Sequence, residues 1–298
     1  MNDIESSEQP QMHYHTLQCS EVWSGYRAIE NSVLSTGLKA WIWSTPYQDD
    51  SEGGDVHYLS LCSGGIVTRV VLADVCGHGS AVGAISEKLC NLLRRFMNAK
   101  KQDQVVSVIN REFTQATKDF RFATAVLVTY EDHRKRLQFS NAGHPPPLFL
   151  NAHSGKWTFL DVDESASTDE ANEVTEGVSN LPFGIDVDSQ YDTHVQAIAA
   201  GDRLILYTDA FMEAHEPDGE MLGADGFLAM AQSLTDEHPD QTCELFGRTL
   251  LDRFRDRFGA TGDDDQTLIV IDFGEGRGGP SMGERLAGYG RFIKSRLT

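Results

Sequence analysis

The stretch "ADVCGHG" at residues 73–79 follows the apolar run "VTRVVL" and puts a carboxylate, Asp74, at the end of a strand-like segment. A thiol, a histidine and two glycines stand directly behind it. Other apolar segments also carry an acid at one end. Asp209 closes "LILYTDA", Asp264 and Asp265 stand before "TLIVI" in "GDDDQTLIVI", and Asp55 opens "DVHYLSL". A single Asp at a strand end is ordinary turn chemistry. Several that converge are different, because two carboxylates ~4.5 Å apart repel by roughly 3–4 kcal/mol at an effective dielectric near 20. Protonation or a bound cation must relieve that repulsion. A donor set made of oxygen alone, with no Cys, favours Mg²⁺ or Mn²⁺ over zinc. Gly53, Gly54, Gly77 and Gly79 let the backbone turn tightly and approach an ion or an anion closely.

The elements that must bring these acids together are legible as alternating or short apolar runs. Strands are expected at 39–47, 56–63, 66–75, 122–130, 136–143, 145–150, 156–160, 202–210 and 267–273, with "EDHRK" as a hairpin turn. Helices are expected at 80–98, with Ile85, Leu89, Leu92, Leu93 and Phe96 on one face and Ser80 as N-cap, at 103–117, and near 223–234 and 240–258. Strands and helices come in blocks, not in strict alternation, which favours an α+β sandwich over a doubly wound sheet. The expected organisation is an N-terminal extension over 1–36, one domain over 37–273 and a basic tail over 274–298. Residues 161–180 carry acids and no base, so they read as a solvated loop or flap.

Charge and composition exclude several classes. A formal net charge of -20 argues against binding nucleic acid through a broad basic face. No apolar stretch reaches the ~20 residues of a membrane span. The N-terminus has neither a basic nor an apolar leader segment. The five cysteines are scattered, with no CxxC pair, so neither a disulfide frame nor a thiolate zinc site is indicated. These features together predict a reduced, cytoplasmic protein without a membrane partner.

The ordered set "GGDVHY", "ADVCGHGSAVGAISEKL", "FATAVLVTY", "SNAGHPPPLFL", "LPFGI", "GDRLILYTDAFMEA" and "DDQTLIVI" resembles the metal-dependent PPM-type protein serine/threonine phosphatases, in their bacterial SpoIIE/RsbU-like branch. The likeness runs from about residue 37 to 273. It implies a four-layer αββα sandwich of two antiparallel sheets flanked by helices, with two Mn²⁺ or Mg²⁺ ions at one edge. Carried over by position, Asp74 bridges both ions and the Val75 backbone carbonyl completes one of them. Asp209 and Asp264 hold the second, and Asp55 acts mainly through metal-bound water. The resemblance further implies attack on phosphorus by a metal-bridging water, with no protein nucleophile. The implied substrate is a phosphorylated signalling protein such as an anti-anti-sigma-like factor. Control would come through residues 1–36, a separate regulatory protein or self-association, and the first helix pair would adjoin the site as a switch.

Some residues depart from the pattern or have two readings. The family often has Gly after the third acid, where this chain has Ala210; a position requiring φ > 0 would strain it. Asp263 leaves the register of the Asp264-Asp265 pair open by one residue. His78 could donate a proton or cap its turn, and His144 in "NAGHPPP" reads as structural. Cys76 is not the nucleophile of a thiol phosphatase loop, since Val82 stands where that loop needs Arg. Two rival functions are a non-catalytic binding module that kept the fold, and a metal-dependent hydrolase of a small phosphoester.

Overall fold

The computed structural model describes residues 14–62, 64–77, 80–96, 101–117, 121–160, 180–216, 219–259, 264–274, 276–279 and 283. The chain runs through β1 (Tyr14–Thr16), β2 (Glu21–Gly25), β3 (Ile29–Ser35), β4 (Leu38–Thr45), β5 (Asp55–Cys62) and β6 (Val67–Val75). Helices α1 (Ser80–Phe96) and α2 (Gln102–Ala116) follow. Next come β7 (Ala123–Glu131), β8 (Arg136–Ala142), β9 (Leu148–Asn151), β10 (Lys156–Phe159), β11 (His194–Ala197) and β12 (Arg203–Tyr207). Helices α3 (Gly223–Glu237) and α4 (Cys243–Phe258) and strand β13 (Gln266–Phe273) complete the fold.

The strands form a seven-stranded sheet, β1-β3-β4-β13-β12-β9-β10, and a six-stranded sheet, β11-β8-β7-β6-β5-β2. Neighbouring strands are antiparallel except β1 and β3, which run parallel. Each central strand is buried on both faces, so its alternate positions feed two different cores. Val70 and Leu72 of β6 meet Leu204, Leu206, Ile269 and Ile271 between the sheets. Val71 of β6 instead packs with Tyr58 and Leu127 under Leu89, Leu93, Ile109 and Phe113 of the first helix pair. On the far side, Phe227, Leu234, Phe246 and Phe254 of α3 and α4 cover Trp41, Tyr207, Leu268 and Val270. The result is the expected four-layer α+β sandwich. Leu89 and Leu93 of the predicted helix face are buried, and Ile85, Leu92 and Phe96 pack partly buried at its rim.

The structure differs from the sequence reading at its N-terminal boundary. The strand-rich section starts at Tyr14, not at 37, because β1 and β3 extend the seven-stranded sheet and β2 edges the six-stranded one. Leu17 and Val33 lie in the core between the sheets. The 3-10 turn Asp132–Arg134 and the left-handed Lys135, φ 47°, close the predicted hairpin between β7 and β8. The acidic stretch 161–179 and most of the basic tail lie outside the described residues. Among the described residues no helix is long and apolar enough to cross a membrane.

A buried ion pair ties α4 to its sheet. Arg203 donates from Nε to Asp272 Oδ1 at 2.5 Å and from Nη2 to Oδ2 at 3.0 Å, from directly opposed positions on β12 and β13. Asp272 Oδ2 also accepts the Cys243 N–H at 2.7 Å, at the start of α4. Removing one partner of such a pair leaves an uncompensated buried charge. Asp272→Ala is therefore expected to cost about 3–5 kcal/mol in urea unfolding. A loss below about 1 kcal/mol, the range of a solvent-exposed pair, would contradict this role.

Candidate functional site

The site forms where the rows of side chains between the sheets change from apolar to polar. On β6 the row Val70, Leu72 is continued by Asp74, and on β5 the row Leu61, Leu59 is continued by His57 and Asp55. On β7, Val128 and Val126 lead to Thr124. In the other sheet, Leu206 leads to Thr208, Ile269 to Thr267 and Ile42 to Ser44. Pairing puts these ends at one edge. Asp55 is opposite Asp74, and Asp74 is opposite Thr124. Thr267 is opposite Ser44. Period-two alternation thus delivers Asp55 and Asp74 to the inter-sheet face, while Asp209 and Asp264 stand in the turns next to β12 and β13.

Asp55 is 3% exposed and directly paired with another carboxylate. Side chains in such pairs have Cβ atoms roughly 4.5–5.5 Å apart, and like charges there are destabilising. Thr208 donates its hydroxyl to Asp55 Oδ2 at 3.1 Å and accepts the Thr267 N–H at 2.9 Å. Thr267 in turn donates to Ser44 Oγ at 2.8 Å. Burial, then the charge of Asp74, hold the Asp55 carboxyl well above the usual range, against the pull of the Thr267 and Thr208 hydroxyls. Asp74 is pushed up to about 8 by burial first and then by Asp209, Asp264, Asp265 and Glu213. Asp209 is raised by burial and by Glu213, against backbone N–H donors at Ala210 and Asp209 itself. The acids are therefore electrostatic neighbours. Among the described residues, however, no three His, Cys, Asp or Glu side chains are gathered closely enough to hold one ion as they stand.

The two acids before β13 have different surroundings. Asp265 is 2% exposed and accepts the Tyr47 N–H at 2.6 Å and the Gly54 N–H at 2.5 Å. Its two oxygens hold the turn that carries Asp55. A Cβ on Gly53 would come within 2.8 Å of Asp265 Oδ1, so this grip needs a glycine there. Asp264, which accepts the Asp265 N–H at 2.8 Å, is the partly exposed member. A Cβ on Gly54 would lie 2.7 Å from the Val75 carbonyl oxygen, so the bare backbone at 54 makes room for that oxygen. Asp209 opens a 3-10 turn, Asp209–Phe211, in which Ala210 has no positive φ, so the missing glycine causes no strain.

Sequence reasoning passed over Glu213 and Arg121. Glu213 lies just past the turn that Asp209 opens, its N–H bonded to the Asp209 carbonyl at 2.9 Å, a turn spacing that no strand pattern reveals. Arg121 donates from Nη1 to the Cys76 carbonyl at 3.1 Å, and the same nitrogen would be 2.9 Å from a Cβ on Gly77. It thus braces the loop behind Asp74. Its position before a strand gave no sign of this. Cys76 is half-buried, and His78 lies outside the described residues.

The model of the family Stage II sporulation protein E (SpoIIE) matches residues 65–274. The chain belongs to the SpoIIE family. The match takes in Asp74, Val75, Asp209 and Asp264, whereas Asp55 precedes it and is brought in by strand pairing. Relatives within reach of this SpoIIE-family chain include phosphoserine phosphatase RsbU of Bacillus subtilis (strain 168), 23% identical over 209 residues, or 68% of this chain and 55% of RsbU. Phosphoserine phosphatase RsbP of the same strain is 24% identical over 149 residues, 48% of this chain and 33% of RsbP. The chain thus spans about half of one curated relative and a third of the other. Among solved structures, the RsbU and RsbW domains of Rv1364c from Mycobacterium tuberculosis give a TM-score of 0.66 at 19% identity, covering 86% of this chain and 64% of that one. The PP2C phosphatase domain of SpoIIE from Bacillus subtilis, with a fragment of its regulatory domain, gives 0.61 at 16%, covering 88% and 71%. RsbX in complex with magnesium gives 0.57 at 15%, covering 82% and 100%. The fold is that of the PP2C, or PPM-type, phosphatase domains.

The raised carboxyls fix the sign of the pH dependence of the ion-free protein. An Asp ionises near 3.9 in an unfolded chain, and Asp74 does so near about 8 in the folded one. Its contribution is fully present below the lower value and is lost as pH rises toward the upper one. Buried His57 and His144, held down to about 4 and about 3 by burial, oppose this below their unfolded value of ~6.5. In chelator, the melting temperature should therefore rise as pH falls from about 8.5 to about 6.5. Asp74→Asn should flatten that slope. A wild-type profile that is already flat, or that falls, would contradict the electrostatic reading.

Proposed function

We propose that this chain is a metal-dependent phosphoprotein phosphatase that hydrolyses phosphoserine or phosphothreonine on a signalling protein. One observation carries the reading: the Asp55–Asp74 carboxylate pair, set directly opposed at the inter-sheet edge of a SpoIIE-family sandwich. When both are ionised, their repulsion favours a bound cation. The donors at hand are hard oxygens, which suit Mg²⁺ or Mn²⁺. Asp55, Asp74, Asp209, Asp264 and the Val75 carbonyl would hold two such ions. When bound, they supply Lewis-acid charge that lowers the pKa of water and neutralises phosphoryl oxygens.

The chain's own residues prepare that site. Thr208 fixes Asp55 from the opposite sheet and is itself held by the Thr267 N–H. Asp265 clamps the Gly53-Gly54 turn, and Gly54 leaves the Val75 carbonyl its space. Hydrolysis takes up one water and releases the hydroxyl side chain and inorganic phosphate, so no residue need act as nucleophile. RsbU and RsbP, both phosphoserine phosphatases, and RsbX, solved with magnesium, support the reading. The RsbU domain of Rv1364c was solved with an RsbW domain, which supports a regulatory protein partner. We place an anti-anti-sigma-like factor first among substrates, with control by a separate regulatory protein or by self-association, in the cytoplasm. His78 is retained as a proton-donor candidate.

The purified chain should release phosphate from a phosphoserine peptide and from p-nitrophenyl phosphate with Mn²⁺ or Mg²⁺, and chelator should stop it. Asp74→Asn and Asp264→Asn should each lower turnover by more than about 100-fold, beyond the effect of a contact behind the ligands. Both variants should melt in chelator no lower than wild type. Wild-type turnover in Asp74→Asn would overturn the assignment. Turnover confined to nucleotides would point to a small-phosphoester hydrolase. Ion binding with no turnover would point to a binding module.

Saturation with Mn²⁺ should also stabilise the wild type, by about 2.7 kcal/mol at a hundred times its Kd, as read from urea unfolding. Asp74→Asn should lose most of that gain. An equal gain in both proteins would place the ion elsewhere.

A further inference from the structure

His144 is built into the fold more firmly than a turn residue requires. It follows β8, and Asn141 holds its backbone from both sides. Asn141 Nδ2 donates to the His144 carbonyl at 2.8 Å, and the His144 N–H donates to Asn141 Oδ1 at 2.7 Å. The residue is 5% exposed. Nδ1 lies 2.9 Å from Thr124 Oγ1, while the buried Nε2 completes no hydrogen bond. Burial keeps the ring neutral, its pKa pushed down to about 3 against a pull from the Tyr207 backbone. It therefore carries one N–H, and Thr124 is the side chain that meets it.

Thr124 stands between this ring and the acids. It stands directly opposite Asp74 on the neighbouring strand, on the face between the sheets. Such neighbours have Cβ atoms roughly 4.5–5.5 Å apart. A hydroxyl has one proton and a free rotor, so a ring nitrogen fixed at 2.9 Å decides which way that proton and the remaining lone pairs face. The order across the edge is then Asp55, Asp74, Thr124, His144, a ring anchored by Asn141 at one end and a buried carboxylate pair at the other.

We propose that His144 and Thr124 form a hydrogen-bonded relay that positions the Asp74 carboxylate for divalent-ion binding. His144 is thus a positioning residue for Asp74 and never touches the substrate. The proposal rests on the phosphatase reading for the identity of the ion, and on this chain's geometry for the relay.

The test is Mn²⁺ binding to the intact chain by calorimetry, in wild type, His144→Asn, His144→Gln, Thr124→Val and the Thr124→Val/His144→Gln double variant. Circular dichroism and thermal melts confirm folding. Asn can place a polar atom where Nδ1 lies, whereas Gln reaches toward the Nε2 position. His144→Gln and Thr124→Val should each weaken Mn²⁺ affinity by about 10–100-fold. His144→Asn should retain affinity within about threefold, and the double variant should be no weaker than either single one, as expected for members of one network. Should His144→Gln fail to fold, the near-isosteric Thr124→Val still decides the matter. Wild-type affinity in Thr124→Val, additive losses, or equal losses in His144→Asn and His144→Gln would each overturn the relay while leaving the phosphatase reading intact. A wild type that binds neither Mn²⁺ nor Mg²⁺ would overturn both.

Discussion

The structure depends on two carboxylates, Asp55 and Asp74, being forced into register on adjacent strands at the edge of a closed apolar sandwich. Neither can turn away. Both occupy inward-facing positions, and sliding either strand by one residue would turn its whole core row outward. The core between the sheets therefore holds the repulsion in place. Leu59 and Leu61 on one strand and Val70 and Leu72 on the other fix the register that sets Asp55 against Asp74. The apolar interior and the acidic edge are two ends of the same rows of side chains.

Around that pair the chain adds hydroxyls in place of positive charge. Thr208, Thr267 and Ser44 form a short chain of hydrogen bonds from the seven-stranded sheet to Asp55. Hydroxyls orient a carboxyl group but cannot supply positive charge, so they keep the site ordered and leave the relief of its repulsion to protons or a cation. Asp265 plays another part, since its oxygens are committed to the backbone at Tyr47 and Gly54. The folded protein carries the electrostatic cost of this acid cluster, and a cation bound there would relieve it.

Much of this was legible in the sequence for a simple reason. Asp55 and Asp74 continue the inward-facing rows of β5 and β6, so alternation that identifies those strands also identifies their polar ends, whereas Asp209 and Asp264 stand just outside their strands and were read from their place at a strand end. The register of Asp263, Asp264 and Asp265 was open because three adjacent acids have no periodicity. It is Asp265's backbone contacts that single it out as structural. Strands β1 and β2 were missed because they lie at sheet edges and are only half-buried throughout, without the contrast that alternation needs. β11 was missed for the same reason, as an edge strand of half-buried and exposed residues. Glu213 and Arg121 reach the site by turn geometry and side-chain length, which a reading of strand patterns does not register.

The central claim is that the acids of this edge share a pair of divalent ions. Diffraction from crystals grown with Mn²⁺, recorded at the manganese absorption edge, tests it most directly. Two anomalous peaks are predicted among Asp55, Asp74, Asp209, Asp264 and the Val75 carbonyl, with Asp74 contacting both. Well-ordered density with no anomalous peak among these residues would contradict the account.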